Sequence, residues 1–302
     1  MKHVQIPGTT GRYYWRLVSA AMFLLISVRV PAQVLVTNLQ TFPARGIVRE
    51  MDVSEKTVSI QHDAIPGYMP AMTMPFVVKD VHELVGLAPG DSVAFQIDVT
   101  PKDGWIEHLR RIDATTDTNM PTTGSFRLVR DVEPLSVGDL LPDYGFTNEL
   151  GAPVRLSSFR GQALAITFIF TRCPYPTFCP RMSELFHDTL GMLAKNPASP
   201  TNYHFLTVSF DPDFDTPETL RNYAQLHQYD PTHWSFLTGQ LIDITALADS
   251  FGMKFWREGA GINHNLRTAV LDSRDRVQKV FIGNNWTAAQ LAVELIKASQ
   301  TK

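Results

Sequence analysis

Both cysteines of this 302-residue chain lie within one stretch of seven residues, at Cys173 and Cys179. Pro174 and Pro176 exclude a regular helix between them, so we expect a loop at the carboxyl end of a buried strand. Pro180 suits the first position of a helix, which places Cys179 at the helix cap, where the helix dipole lowers the pKa of a thiol. A proline-rich loop is an unusual place for core packing, and two sulfurs there provide half of a soft-metal site or a redox pair.

A histidine near the far end of the chain is the candidate third ligand. His264 stands just before a predicted strand, where a thioredoxin-type oxidoreductase carries a cis-proline facing its thiols, and no proline follows Pro231. Two sulfurs and one imidazole suit copper in either oxidation state, whereas structural zinc usually takes four protein ligands. We therefore expect Cys173, Cys179 and His264 to bind copper, as Cu(I) or Cu(II), with zinc as the rival metal.

Methionines and one histidine form a second cluster earlier in the chain. Three of the ten methionines, Met69, Met72 and Met74, fall within six positions beside prolines, and His62 precedes them. On a strand Met72 and Met74 point the same way, so their thioethers share one face. Thioethers select Cu(I) over harder ions. One or two methionines would be typical of core filling, but three with a histidine predict a second Cu(I) site.

The residues around the methionines are predicted to form a small all-β domain. Apolar and polar residues alternate in period two along several short stretches, which turn residues such as Pro89-Gly90-Asp91 separate. About five short strands in about 70 residues favour an OB-like barrel over residues 41–113. Residues 114–133 lose this periodicity and are predicted to be a linker. The clearest predicted strands are 46–53, 56–62, 92–99 and 105–112.

Strands and helices alternate from residue 134 to residue 302, which predicts a three-layer α/β domain. Leu164 to Phe170 is a continuous apolar run, as in a buried parallel strand. Asp215 is predicted to cap a helix that begins close to Pro217. Further strands are expected at 203–210, 266–271 and 277–282, and further helices at 180–195, 241–251 and 287–298.

Residues 1–32 have the order of charged, apolar and small residues found in a secretory signal. Three basic residues precede an apolar run at 17–28, and small residues at 30–32 suit a cleavage site. The run is shorter than the about 20 residues that a bilayer span needs, and no cysteine follows it to carry a lipid anchor. The alternative is an uncleaved anchor, which would tether the chain to a membrane. Either way we expect an exported protein, in the periplasm or on the outer face of the cytoplasmic membrane.

The overall composition excludes several classes of protein. Lys and Arg total 27 and Asp and Glu total 30, which gives a net charge of −3 and a pI of about 6.3. That balance is too close to neutral for a protein that binds nucleic acid. The hydrophobic fraction of 44% with 10% aromatic residues excludes a disordered or fibrous chain, and two cysteines are too few for a disulfide scaffold.

An ordered set of motifs runs through the second part of the chain. It comprises Val137-Gly-Asp-Leu-Leu-Pro-Asp-Tyr, Leu156-Ser-Ser-Phe-Arg-Gly, Thr171-Arg-Cys-Pro, Cys179-Pro, Asp211-Pro-Asp-Phe-Asp-Thr-Pro217 and the late His264. By these motifs the chain from about Leu135 to its end resembles the Sco (SenC) copper chaperones. The resemblance implies a thioredoxin-like fold, copper held by Cys173, Cys179 and His264, and a role in building the binuclear copper centre of cytochrome c oxidase. The family usually has three residues between its cysteines, whereas this chain has five.

The methionine stretch with its flanking strands resembles the periplasmic copper-binding protein CusF. That small barrel uses one histidine, two methionines and a tryptophan stacked near the ion, and His62, Met72 and Met74 match its ligands. Met69 occupies the place of the tryptophan, in a loop one residue shorter. The resemblance therefore implies that the cation–π contact is missing here and that Met69 is a further candidate ligand. Tyr68 is a weaker candidate for an aromatic neighbour.

Three functions remain open on the sequence. The leading hypothesis is a non-enzymatic copper chaperone, whose barrel acquires Cu(I) and whose second domain holds it or passes it to a cytochrome c oxidase subunit or another copper-accepting protein. The first alternative is a thiol–disulfide oxidoreductase that keeps a partner's cysteines reduced; the missing proline and the cysteine spacing speak against it. The second alternative is a periplasmic copper buffer that serves copper tolerance.

Overall fold

A computed structural model describes residues 39–112, 133–197, 199–258 and 261–301. The predicted signal segment, residues 1–32, lies outside the described residues, and so does the predicted linker apart from Glu133. Among the helices of the described ranges, none has both the length and the apolar character needed to cross a bilayer.

Five antiparallel strands form the first domain. They are β1 (Gln40–Asp52), β2 (Thr57–His62), β3 (Met72–Val77), β4 (Ser92–Val99) and β5 (Gly104–Arg111). Their order in the sheet is β3-β2-β1-β4-β5, so β3 and β5 are the two edges. A bridge between Val78 and Ile106 joins the end of β3 to β5 and closes the sheet into the predicted small barrel.

Alternation in the sequence becomes alternation of burial in the barrel. Every second side chain of β2 is buried, ending with His62, and β3 buries Met72, Met74 and Phe76 in the same way. The pairing of β2 with β3 sets Met72 opposite His62 and Met74 opposite Ile60. Because side chains of a strand alternate between its two faces, the histidine and both methionines share the inner face of the barrel.

A seven-stranded sheet is the centre of the second domain. Its strands are β6 (Gly145–Asn148), β7 (Pro153–Arg155), β8 (Ala163–Ile169), β9 (Tyr203–Ser209), β10 (Trp234–Thr238), β13 (Arg267–Leu271) and β14 (Val277–Ile282). Their order is β14-β13-β8-β9-β10-β6-β7, in which β8, β9 and β10 run parallel and β13 is antiparallel to β8. Both β8 and β9 are buried along their whole length, as the apolar run predicted.

Among the described residues, four α-helices and one hairpin complete the predicted three-layer α/β domain. The helices are α1 (Cys179–Lys195), α2 (Pro217–Leu226), α3 (Leu241–Ser250) and α4 (Ala288–Ser299), and the hairpin is β11 (Phe255–Glu258) with β12 (Gly261–His264). Helices α1 and α4 pack together beside β8, and α2 packs against β10. The described residues belong to one compact unit, in which β12 of the hairpin lies against β3 of the barrel.

One predicted helix cap is wrong. Thr216, and not Asp215, caps α2, because the Thr216 hydroxyl accepts a hydrogen bond from the backbone N–H of Thr219 at 3.2 Å. Asp215 is fully buried instead, and its carboxylate accepts hydrogen bonds from the backbone N–H of Thr171 at 3.0 Å and the hydroxyl of Ser209 at 2.5 Å. A buried carboxylate needs such donors, so the side chain turns inward and leaves the cap to the next residue.

Candidate metal centre

Cys173 lies on the loop between β8 and α1, as predicted, and Cys179 is the first residue of α1 at the end of that loop. After Ile169 the chain leaves the sheet and forms no helix until α1. The backbone N–H of Cys173 donates to the carbonyl of Phe170 at 3.2 Å, and that of Phe178 donates to the carbonyl of Tyr175 at 3.1 Å. These two successive turns bring the second cysteine back beside the first.

The helix that follows begins one residue earlier than the sequence predicted. Phe178 is the N-cap, so Cys179 is the first helical residue and Pro180 the second. Proline is tolerated there because the first backbone N–H groups of a helix have no partner within the helix. Cys179 is fully buried under this first turn, whereas Cys173 is partly exposed.

Three possible metal ligands meet at this point. The Sγ atoms of Cys173 and Cys179 and a ring nitrogen of His264 all lie within 4.8 Å of one another. His264 is the last residue of β12, so the hairpin brings it to the two cysteines. A sulfur–sulfur–nitrogen set at this separation can close around one metal ion with small side-chain movements.

The surroundings of His264 orient its ring and bury most of it. Its Nδ1 donates to the backbone carbonyl of Asn265 at 3.0 Å, which fixes the tautomer and leaves Nε2 as the nitrogen with a free electron pair. The rings of Phe170, Phe178 and Phe210 surround the imidazole, with centroids 5.7, 5.5 and 5.0 Å away. The ligand is therefore oriented before any ion binds.

The two thiols have pKa values that move in opposite directions. Burial raises the pKa of Cys173, but contact with Cys179 and with His264 outweighs burial and holds this pKa well below its usual range. Burial, followed by the adjacent Cys173 sulfur, raises the pKa of Cys179 well above its usual range. The prediction that the helix start would lower the pKa of Cys179 is therefore wrong: desolvation and a neighbouring thiolate outweigh the helix dipole.

A buried carboxylate ties the two halves of this site together. Asp211 is fully buried and accepts a hydrogen bond from Arg172 at 2.6 Å, next to Cys173 in the cysteine loop. It also pairs with Arg257 on β11, the strand that forms the hairpin with the His264 strand. One carboxylate thus fixes both ligand-bearing segments through charge-assisted hydrogen bonds.

The methionines lie together in the barrel, close to His62. Met69 is held by a bridge to Ile65, whose backbone N–H donates to the Met69 carbonyl at 2.8 Å. Met69, Met72 and Met74 are all buried, so their thioethers are shielded from bulk water. His62 donates from Nδ1 to the carbonyl of Asp63 at 2.7 Å, which directs its Nε2 away from that carbonyl.

Tyr68, the weaker candidate for an aromatic neighbour of the methionines, has other contacts. Its ring stacks on Phe42, with centroids 4.3 Å apart and planes 6° from parallel. Its hydroxyl donates to the carbonyl of Pro174, in the cysteine loop, at 3.5 Å. Burial and the nearby Cys173 sulfur raise the pKa of this hydroxyl. The structure thus places Tyr68 at the contact between the two domains.

The two predicted ligand sets face the same cavity. Met69, Met72 and Met74 form one wall, Cys173 and His264 form the other, and five apolar or aromatic neighbours complete the lining. The space open to the centre of a water-sized sphere is about 10 Å³, which is room for one water or ion. Among the described residues that line it, none carries a carboxylate. His62 and Cys179 stand behind this lining, beside Met72 and Cys173.

Sequence reasoning missed several residues that shape the site. The sequence did not predict that Asp211 pairs with both Arg172 and Arg257, although Asp211 is the first residue of a recognised family motif. The aromatic residues Phe170, Tyr175 and Phe178 flank the cysteines in sequence, and their number in so short a loop was a signal of an enclosed site. No local pattern in the sequence predicts that the methionines and the cysteine loop line the same cavity.

Comparison with known families matches both domains. The family model described as SCO1/SenC matches residues 133–300, which is more than half of the chain. The model described as copper binding periplasmic protein CusF matches residues 41–111. Both resemblances inferred from the motifs are therefore confirmed.

Two curated relatives match one domain each. A SCO1 protein homolog of Bacillus subtilis (strain 168) is 32% identical over 96 residues, which cover 32% of this chain and 47% of the relative. The cation efflux system protein CusF of Escherichia coli O157:H7 is 37% identical over 57 residues, 18% of this chain and 52% of the relative. The chain thus spans about half the length of the curated relatives it matches.

Solved structures of Sco proteins are similar to the second domain. A SCO1/SenC family lipoprotein from Bacillus anthracis is 26% identical, with a TM-score of 0.49 over 54% of this chain and 96% of that one. ScoI of Arabidopsis thaliana, solved with copper bound, is 19% identical, with a TM-score of 0.46 over 54% of this chain and 98% of that one. With the family model matching more than half of its length, the chain belongs to the SCO1/SenC family and carries a CusF-like domain ahead of its Sco domain.

Proposed function

We propose that this chain is an exported copper-binding protein that acts as a non-enzymatic copper chaperone. The observation that carries the proposal is the meeting of the Cys173, Cys179 and His264 ligand atoms within 4.8 Å of one another. Thiolate and imidazole ligands at such a site select a soft ion. The barrel acquires Cu(I) at Met69, Met72, Met74 and His62, and the Sco domain holds the ion or passes it on.

The donor types favour copper over zinc. Structural zinc usually takes four protein ligands, and the Sco-domain set offers three. The methionine wall adds only neutral thioethers, which are ligands for Cu(I) and not for harder ions. Two soft sites in one chain support each other, and the Cys173–Cys179–His264 set also suits Cu(II).

The client we propose is a cytochrome c oxidase subunit that carries the binuclear copper centre, with another copper-accepting protein as the broader class. Membership of the SCO1/SenC family supports this client. We place the protein in the periplasm or on the outer face of the cytoplasmic membrane. The CusF model, described as a periplasmic protein, supports export. The proposed order of domains is a signal at 1–32, the barrel at 41–113, a linker at 114–133 and the Sco domain at 134–302.

A second candidate function is thiol–disulfide exchange with a partner's cysteines. The observation in its favour is that both cysteines are free thiols whose Sγ atoms lie within 4.8 Å of each other, with Cys179 at the amino end of α1. A third is copper buffering for tolerance, which the same two sites would support. Reduction of a model disulfide by the copper-free chain separates the second from the first, and loss of oxidase activity in a deletion strain separates the third.

An anaerobic Cu(I) titration of the full chain tests the proposal. We expect two bound equivalents. The Cys173→Ser, Cys179→Ser double variant should lose one, and the Met72→Leu, Met74→Leu double variant should lose the other. Met192→Leu, on an exposed part of α1, is the matched control and should keep both. The proposal would be contradicted if the chain did not bind Cu(I), or if the same copper site persisted in both double variants.

A further inference from the structure

The two ligand sets occupy opposite walls of one cavity, and the inference drawn from this rests on the proposed copper function. Met69, Met72 and Met74 belong to the barrel, and Cys173 and His264 belong to the Sco domain. The cavity has room for about one water-sized sphere. An ion that leaves the thioethers into this cavity therefore meets candidate ligands of the Sco domain within the same small space.

A close strand contact holds the two walls in place. The backbone N–H of Thr73, between Met72 and Met74, donates to the side-chain oxygen of Asn263, the residue before His264. Gly261 allows this approach: a Cβ there would lie 2.9 Å from the backbone oxygen of Ala71 and 3.0 Å from the Met72 side chain. The methionine strand and the histidine strand are thus in direct contact.

The five-residue cysteine spacing provides a second contact. Tyr175, in the middle of the loop, is almost fully buried and packs edge-on against Phe76 of the barrel, with centroids 5.7 Å apart. Gly104 of β5 leaves room for its ring, since a Cβ there would lie 3.0 to 3.1 Å from three atoms of Tyr175. Tyr68 reaches the same loop at Pro174. The longer loop therefore fits the barrel that this chain carries.

We propose that Cu(I) passes between the two domains inside this cavity, through an intermediate in which Cys173 and methionine thioethers bind the same ion. Copper remains Cu(I) throughout, so no electron is transferred. Bonds from copper to thioether sulfur break as bonds to the Cys173 sulfur, the Cys179 sulfur and His264 nitrogen form. Each cysteine sulfur binds copper as a thiolate, and the proton of a thiol leaves to solvent when its sulfur binds.

The direction of transfer follows from charge and position. Cys173 lines the cavity, whereas Cys179 stands behind it, so Cys173 is the first thiolate that the ion reaches. Cysteine binds a metal ion as a thiolate, whose negative charge attracts a monovalent cation more strongly than a neutral thioether does. The ion therefore moves from the barrel to the Sco domain.

X-ray absorption at the copper edge tests the shared intermediate. The full chain is prepared with selenomethionine and the Cys179→Ser substitution, which removes the ligand behind the cavity and keeps Cys173 and His264. With one equivalent of Cu(I), we expect selenium and sulfur scatterers in the shell of the same ion. A shell with selenium alone, or with sulfur and nitrogen alone, would overturn the proposal.

Gly261→Val is the variant that separates the walls, and Gly191→Val is its control. Residue 261 has no room for a side chain, whereas a Cβ on residue 191 would point from α1 into open space. We expect the mixed selenium and sulfur shell to disappear in the first and persist in the second. A mixed shell that survives Gly261→Val equally overturns the proposal.

A kinetic measurement covers the case in which one of these variants does not fold. Bathocuproine disulfonate, a Cu(I) chelator, removes copper from the unsubstituted chain. We expect a rate that stops rising with chelator concentration, because the domains must open first. A removal rate that is proportional to chelator concentration at every concentration overturns the enclosed route.

Failure of the chain to bind Cu(I) at all would instead refute the proposed function. Two normal copper sites with no mixed selenium and sulfur shell would refute only the transfer between domains.

Discussion

The two proposed metal-binding regions of the molecule hold their donor atoms in different ways. In the Sco domain, the candidate ligands lie on a loop, on the first turn of a helix and on a hairpin, and the buried Asp211 binds the loop through Arg172 and the hairpin through Arg257. In the barrel, ligands are core side chains of neighbouring strands and the loop between them, and the register of β3 opposite β2 sets Met72 beside His62. The first region is organised by charge, and the second by packing.

This difference indicates why one chain carries both regions. A thiolate pair with a fixed imidazole gives a tight site that depends on its supporting hydrogen bonds. We expect neutral thioethers in an apolar wall to bind the ion more weakly and to release it more readily, because they carry no charge. A weaker site in contact with a tighter one provides direction without a change of oxidation state.

The largest effect is expected from Cys173→Ser. Loss of the one thiolate that lines the cavity should weaken Cu(I) binding at the Sco domain by more than about 100-fold, because even the partners behind a ligand are worth about 10–100-fold. The Cu(I) affinity of the barrel site should be unchanged and serves as an internal control. Chelator competition on the full chain measures both affinities. Equal weakening at both sites would show that the two regions are not separate ligand sets.

Tyr175→Ala tests the packing between the two regions. Removing this buried ring should lower the free energy of unfolding by about 3 kcal/mol, which is about 100-fold in the unfolding equilibrium. Chemical denaturation followed by circular dichroism measures the loss. Tyr175→Phe keeps the ring and should cost far less. If both variants unfold at the denaturant concentration of the unsubstituted chain, the loop does not pack into the barrel.

Asp211→Asn tests the role of charge in the Sco-domain site. The neutral amide keeps the shape of the carboxylate but weakens its bonds to Arg172 and Arg257, so we expect about tenfold weaker Cu(I) binding at this site alone. Asp213→Asn is the matched control, because Asp213 is exposed and contacts the same Arg257 at 3.3 Å. If both variants lost Cu(I) affinity to a similar extent, Asp211 would have no specific role in supporting the site.

The smallest effect is expected from Met72→Leu alone. One thioether of several is lost, so Cu(I) binding at the barrel should weaken by about tenfold or less. A methionine-to-leucine change preserves volume and usually costs less than about 1.5 kcal/mol of stability. The Sco-domain affinity should not move. Chelator competition measures both affinities. A larger loss of Cu(I) affinity at the Sco-domain site than at the barrel site would contradict the comparison.

The sequence predicted the elements better than the contacts between them. Alternation placed Met72 and Met74 on one face, and the apolar run before Cys173 identified a buried strand, because both signals are local. Thr73 and Asn263 meet across 190 positions of chain, through a glycine that allows close approach, and no local pattern encodes that contact.

Helix ends were the other source of error. The sequence offers more than one capping residue near a helix start, and burial decides which of them is used. Asp215 turned inward because buried donors needed its carboxylate, and the helix after the cysteine loop began at Cys179 with no side-chain cap. The pKa of Cys179 then followed its burial and not its place at the helix start.

X-ray absorption on the unsubstituted, reduced chain with one equivalent of Cu(I) tests the central claim most directly. The account predicts a first shell of two sulfurs and one nitrogen, from Cys173, Cys179 and His264, in a three-coordinate Cu(I) ion. A shell of oxygen and nitrogen atoms only, or copper that stays in solution with the chain added in excess, would contradict it.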